Sequence, residues 1–186
     1  MSVGCYKAPF PTISDNVVNV MEFELSHLTP RYVGWLNDPE TVQFSEQRHS
    51  VHTIESCRRY FEAQQKSENY FLAIEKTGAE PRHIGNMGVT VDRNNQTADL
   101  SILIGERDLR GKGLGFRAWS LVMDACFRHL GFRFVTAGSM ETNSPMIRVF
   151  QKSGMNIDAI LPQRFLWNGR EVGMVAASGH SSRITC

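Results

Sequence analysis

Three glycines at alternate positions, Gly111, Gly113 and Gly115, stand one short loop after the apolar run Leu100, Ile102, Leu103 and Ile104, with Arg110 before them and Lys112 among them. Beyond them Trp119, Val122, Met123, Cys126 and Leu130 fall on one helical face. The glycines therefore sit between a strand and the start of an amphipathic helix. The first turn of a helix offers backbone N–H groups without intrahelical partners and carries the positive end of the macrodipole. Glycine lets the chain turn tightly there and lets an anion approach with no side chain in the way. The chemistry of this pattern is to cradle a diphosphate, with Arg110 and Lys112 adding charge. Two other uses of the same physics are excluded. Position 116 is Phe116, so the third glycine of a dinucleotide fingerprint is missing, and Lys112 is followed by Gly113 rather than Ser or Thr, so there is no P-loop.

The elements that must position this cradle follow from periodicity and punctuation. A strand is expected over 17–25 and a short helix from Thr29-Pro30, Thr as cap and Pro in the first turn, ending near 37–39. A second helix starts near Thr53, with Glu55 in its first turn and Ile54, Cys57 and Phe61 at helical spacing. Strands follow over 70–74, 84–91 and 98–104, separated by polar turns at 77–81 and 92–96. The long helix stops at Gly131; a strand covers 132–137, a helix capped by Asn143 runs to Gly154, and a strand pair covers 155–160 and 172–177. This order predicts a mixed α/β sheet with helices on both faces, not a doubly wound fold. Residues 1–16 read as a loose arm, 17–177 as one domain and 178–186 as a polar tail.

Composition bounds the partners. At 186 residues the chain is one domain able to bury roughly 70% of its unfolded surface. A net charge of +1 argues against nucleic-acid binding and against an electrostatic membrane anchor. No apolar run approaches the ~18 residues of a membrane span, and residues 1–16 lack the layout of a signal peptide. Cys5, Cys57, Cys126 and Cys186 are far apart, which reads as reduced thiols and a cytoplasmic location. His49 and His52 stand three apart with no third ligand, so no metal is expected.

Arg110-Gly111-Lys112-Gly113-Leu114-Gly115 matches the signature Gln/Arg-x-x-Gly-x-Gly/Ala in full, and the chain resembles the GCN5-related N-acetyltransferase (GNAT) superfamily. A second element of that family, an Asn, a helix and a closing Gly, is matched by Asn143 through Gly154. Trp35 to Glu40 and the pair Ile84-Gly85 are similar to the branch holding ribosomal-protein N-terminal and amino-sugar acetyltransferases. The resemblance covers about residues 17–177. It implies an α/β GNAT fold: a mostly antiparallel mixed sheet, a splayed central parallel strand pair, and helices on both faces. It implies acetyl-CoA as co-substrate and no metal. The amides of Arg110, Gly111, Lys112, Gly113, Leu114 and Gly115 would hold the pyrophosphate. The edge of Ile102, Leu103 and Ile104 would pair with the pantetheine, and Asn143 would reach it or fix the acetyl end. A small-molecule amine is the implied partner, and a homodimer through the last strands is allowed for.

The implied reaction is direct attack of a neutral amine on the thioester, which needs a base, an oxyanion donor and a tolerable leaving group. By analogy with relatives Asp99 is the expected base, with Glu141 second, and a backbone amide near Ile102 or Leu103 the oxyanion donor. The sequence departs from the family where a proton donor is usual: Phe150 and Met146 occupy those positions, leaving Ser139, Ser144, water or an unaided thiolate. The acceptor is expected to meet Gln43, Ser45, Glu46, Arg48 and His49, which can hydrogen-bond hydroxyls or a phosphate, together with Asn86. The leading expectation is an amino-sugar acceptor, nucleotide-linked; the alternatives are a protein N-terminus, a polyamine, or a non-catalytic acyl-CoA sensor.

Overall fold

A computed structural model describes residues 7–181; the outer parts of the expected arm and tail, 1–6 and 182–186, lie outside the described residues. The sheet has eight strands: β1 (Ile13–Ser14), β2 (Val18–Glu22), β3 (Tyr70–Lys76), β4 (Arg82–Asp92), β5 (Thr97–Ile104), β6 (Phe134–Met140), β7 (Asn156–Trp167) and β8 (Arg170–His180). Their spatial order is β1-β2-β3-β4-β5-β6-β8-β7. Every neighbouring pair is antiparallel except β5 and β6. Strand residues alternate between faces, and β2 shows the result: Val18 and Val20 are fully buried while Asn19 and Met21 are partly open.

The parallel pair decides the site. β5 meets β6 from Thr97↔Phe134 to Asp99↔Thr136 and no further. Beyond that point β5 stays with β4 as far as Ile104↔Gly85, and β6 stays with β8 as far as Met140↔Met174. The two strands therefore diverge, and among the described residues one backbone edge of residues 100–104 has no strand beside it.

Helices cover both faces. α4 (Leu114–Arg128) buries Leu114, Ala118, Trp119, Val122 and Cys126 on one side. With α5 (Ser144–Lys152) it closes the larger core, where Trp119, Phe150, Leu72, Ile84 and Met87 are almost wholly enclosed; each such side chain contributes roughly 1.5–3 kcal/mol on burial. On the opposite face α1 (Pro30–Leu36) and α3 (Ile54–Gln65) pack Tyr32, Trp35, Leu36 and Cys57 against Phe23 and Phe71.

Four α-helices among the described residues begin on a capping side chain. Thr29 accepts from Tyr32 N, Asp38 from Thr41 N, Thr53 from Ser56 N and Asn143 from Met146 N. Asp38 caps a helix beyond the expected end of α1: Pro39 ends α1 but opens a further short helix, α2 (Pro39–Val42), since Pro suits a first helical position. The last two strands run well beyond 155–160 and 172–177. Pro162 is tolerated because β7 is an edge strand, and the register shift between Leu161 and Phe165 absorbs it. The domain limits also move outward. Phe10 packs on Tyr70, Ile13–Ser14 pairs with β2, and Ser178 and Gly179 are buried in β8.

Candidate active site

The loop before α4 has the shape its glycines suggest. Gly111 and Gly113 adopt φ +73° and +80°, left-handed values that cost an L-residue about 1–2 kcal/mol. A Cβ on either would meet no atom within 4 Å. Gly113 is the N-cap of α4 and makes no side-chain cap, unlike the residues that open the other four α-helices among the described residues. The first turn of α4 is set against β5, because the Gly115 Cα lies over Ile104 and Ile102: a Cβ there would come 3.4 Å from Ile104 Cγ1 and 3.8 Å from Ile102 Cδ1. Cradle and unpaired strand edge are thus contiguous. Leu114 is buried and anchors the helix from below.

Arg110 is used differently from the expectation. Its guanidinium donates to Ile104 O (3.3 Å), Gly105 O (3.3 Å) and Thr41 Oγ1 (2.5 Å), and stands 3.5 Å from Glu40. The side chain ties the end of β5 to α2 rather than reaching over the cradle. Lys112 is exposed and remains available as charge. Glu106 supports the same corner: its carboxylate accepts from Arg31 Nε (2.7 Å) and Trp35 Nε1 (3.0 Å), and the Trp35 ring lies on Gly105 so closely that a Cβ would sit 1.9 Å from it.

At the fork, Asp99 accepts from Thr136 Oγ1 at 2.7 Å. Desolvation raises its carboxyl pKa, and the Thr136 bond partly offsets that; the residue still keeps an open side to solvent. Glu141 accepts from Gly173 N at 2.8 Å and braces β8. Asn143 spends both ends of its carboxamide within the fold: Oδ1 caps α5 and Nδ2 donates to Ser139 Oγ at 3.0 Å. Phe150 is fully buried against Trp119, ring centroids 5.6 Å apart, and Met146 packs partly into the same core.

On the α1–α3 face a cavity of about 430 Å³ opens against β4 and β5. Asn86, Gly88, Ser101 and Leu103 form its floor, Tyr32, Cys57 and Tyr60 its helical wall, and Ser45, Gln47, Ser50 and His52 its roof. Of the residues expected around an acceptor, Ser45 and Asn86 line it, as do Ile102 and Leu103 of the strand edge. Gln43, Glu46, Arg48 and His49 do not. Their side chains are engaged elsewhere: Gln43 Nε2 donates to Glu40 O at 2.9 Å, Arg48 folds back to donate to Ser45 O at 2.9 Å, and on the 3-10 turn Glu46–His49 the exposed Glu46 pairs with Arg48 at 2.7 Å and with His49 at 3.7 Å. The turn is pinned by the far hairpin: Trp167 Nε1 donates to Gln43 O at 2.9 Å, Phe44 stacks on Trp167, and Arg48 reaches Leu166 O. His83 also lies outside the lining. It donates Nε2–H to Gly85 O within an aromatic cluster of Phe23, His27 and Trp35. Sequence reasoning missed Tyr32, Tyr60, Ser101 and His52 as lining; the alternation of β5 around buried Leu100 carried a signal for Ser101 alone. Among the described residues no group of three or more His, Cys, Asp or Glu side chains could hold a metal, and no helix is long and apolar enough to cross a membrane.

Residues 19–156 match the acetyltransferase (GNAT) domain. The chain belongs to the GNAT acetyltransferase family. The sheet with its one parallel pair and flanking helices is the GNAT fold. Among curated proteins it is similar to mouse (Mus musculus) alpha/beta-tubulin-N-acetyltransferase 9, 29% identical over 137 residues, covering 68% of this chain and 57% of that protein. It is similar also to "Probable N-acetyltransferase YjcK" of Bacillus subtilis (strain 168), 30% identical over 124 residues, covering 63% and 67%. The chain thus spans little more than half the length of the tubulin relative. In fold it is similar to the spermidine N-acetyltransferase of Vibrio cholerae in complex with CoA and spermine, at TM-score 0.81, 14% identity and coverages of 91% and 98%. The ribosomal-protein-S5-alanine acetyltransferase of Vibrio fischeri gives 0.79, 14%, 95% and 100%.

Proposed function

We propose that this chain transfers the acetyl group of acetyl-CoA to a primary amine, and that the amine belongs to an amino sugar in nucleotide-linked form, as in the amino-sugar branch of the family. The observation that carries the first half is the uncapped first turn of α4 lying against the unpaired edge of β5. The residues fit the co-substrate. Amides of Gly111, Lys112, Gly113, Leu114 and Gly115 hold a diphosphate where no side chain intrudes, Arg110 keeps the loop in shape, and the edge of Ile102, Leu103 and Ile104 pairs with amides as a strand would. Bound there, acetyl-CoA supplies an activated acyl thioester. The amide near Ile102 or Leu103 is the oxyanion donor, and Asn143 holds Ser139 beside the splay.

The amino-sugar half rests on the cavity beside that edge. Ser45, Ser50, Ser101, Gln47 and Asn86 offer hydroxyls and carboxamides, and no carboxylate lines it. A hydroxylated ring finds partners there; a polycation finds no counter-charge. The chemistry points the same way. An amine of pKa about 8 is roughly a tenth neutral at pH 7, whereas one near 10.4 is neutral well below a tenth of a per cent. A leaving thiol of pKa about 8.5 departs without an obligatory acid, which suits Phe150 in the usual acid position. A reducing, cytoplasmic compartment belongs to this reading and fits free Cys57 and Cys126. The outer edge of β7, with Ile160 and Leu166 exposed, supports pairing with a second copy, which sedimentation tests.

A thiol-release assay with acetyl-CoA and a panel of amines tests the reading. Turnover on a nucleotide-linked 4-amino sugar, with little on spermidine or on peptides bearing free N-termini, is the expected result. Turnover on peptides alone would move the chain to N-terminal acetylation, and saturable CoA binding without turnover on any amine would make it a sensor.

A further inference from the structure

Two polar atoms in the residues that wall the cavity are buried and have no partner: His52 Nε2 and Asn86 Oδ1. Native proteins rarely leave such atoms unpaired, and where they do a ligand, a water or a catalytic role is the usual reason. The third such atom, Trp119 Nε1, lies in the core under α4 and away from this cavity.

His52 is also held in an uncommon way. Its backbone N donates to Asn37 Oδ1 and its carbonyl accepts from Asn37 Nδ2, both at 2.8 Å. One carboxamide at the end of α1 thus closes both bonds on one residue and fixes its backbone, while the imidazole Nε2 has no partner. The other titratable groups that line the cavity with His52 are Tyr32 from α1 and Cys57 and Tyr60 from α3. Burial raises the pKa of both phenols and of the thiol, so all three stay protonated near neutral pH. β4 and β5 bring no ionisable side chain to the lining. Glu46, Arg48 and His49 of the neighbouring turn pair with one another outside it. Asp99 lies outside as well, bonded to Thr136. His52 is then the group of the lining able to take up a proton.

We propose that His52 Nε2 is the catalytic base that receives the proton of the incoming amine, that Asn86 Oδ1 receives a second N–H of the same amine, and that Asn37 is the positioning residue for His52. The assignment rests on the acetyl-transfer reading above. One proton passes from R–NH3+ to His52 Nε2. The freed lone pair bonds to the thioester carbonyl carbon, and the C–S bond breaks with its electron pair on sulfur. The further proton that nitrogen loses goes to that thiolate, leaving an amide, a thiol and a protonated imidazole that returns its proton to water.

The test is the pH dependence of kcat/KM with a nucleotide-linked 4-amino sugar, for the unsubstituted protein, His52→Gln, Asn37→Ala and Asp99→Asn. With a base present, kcat/KM levels off below the amine's own pKa. His52→Gln should lose roughly 100-fold or more at neutral pH and keep rising tenfold per pH unit up to that pKa. Asn37→Ala should lower kcat and keep the plateau, and Asp99→Asn should also keep it. A plateau retained in His52→Gln and lost in Asp99→Asn would overturn the assignment. A second readout needs no turnover. In NMR spectra of the CoA-free protein, the same nucleotide-linked 4-amino sugar should shift the His52 imidazole signals, and the shift should vanish in Asn86→Leu. Unmoved His52 signals would also overturn it. Failure of the acetyl-transfer reading looks different, because acetyl-CoA would then bind without thiol release at any pH.

Discussion

Replacing Gly113 by Asp separates fold stability from cofactor binding. Any L-residue there must adopt φ +80°, which costs about 1–2 kcal/mol. It meets no steric penalty, because nothing lies within 4 Å of the new Cβ. For a carboxylate part of the strain is returned, since a negative charge at a helix N-terminus contributes about 0.3–1 kcal/mol and can cap the free amides. The net loss is therefore about 1 kcal/mol, or roughly 2–4 °C in Tm for a chain of this size. Binding suffers far more. A unit charge about 4 Å from a phosphate charge at an effective dielectric of 20 is repelled by roughly 4 kcal/mol, close to a thousand-fold in Kd. Gly113→Ala, with the strain and no charge, should melt as low or lower yet bind CoA much better than Gly113→Asp. Calorimetric titration with CoA and thermal melts of the three proteins provide the comparison. Gly113→Asp with undiminished CoA affinity would refute the placement of the diphosphate at this turn.

Other outcomes follow from neighbouring features. Burial, then the His27 charge and Arg31, hold His83 down to about 4, with the Gly85 bond pulling the other way. The unfolded chain takes up that proton near 6.5, so it binds more protons than the native state between those values. Stability should therefore fall as pH drops from about 6.5 to 4, by roughly 3 kcal/mol for this group; urea midpoints of His83→Phe should show a flatter slope in that window. Gly105→Ala drives a Cβ into the Trp35 ring and should cost about 1–3 kcal/mol in chemical denaturation, with weaker CoA binding because the same corner carries Arg110. Trp167→Ala removes the bond to Gln43 O and the stack on Phe44. It should raise KM for the acceptor several-fold while leaving CoA affinity alone, and equal loss of both would count against the hairpin as a brace of the roof.

What the sequence determined by itself was everything that short range decides. Alternate glycines ahead of an apolar helical face announce a strand-to-helix anion cradle, because the free amides of a first turn are a property of any helix start. Thr29, Thr53 and Asn143 announce their helices for the same reason: a cap bonds two or three residues away. The tertiary structure decided what depends on neighbours distant in the chain. Arg110 reads as a phosphate charge until Thr41 and Glu40, some seventy positions away, are found beside it. Gln43, Glu46, Arg48 and His49 read as an acceptor wall until their side chains are found bonded to Glu40 O, to one another and to the last hairpin. His52 reads in the sequence as half of a histidine pair with no third metal ligand. Its standing comes from a clamp by Asn37 and from a cavity assembled by α1, α3, β4 and β5. Burial, pairing and loss of water are set by whichever surfaces meet, and a linear pattern of residue types does not carry that information.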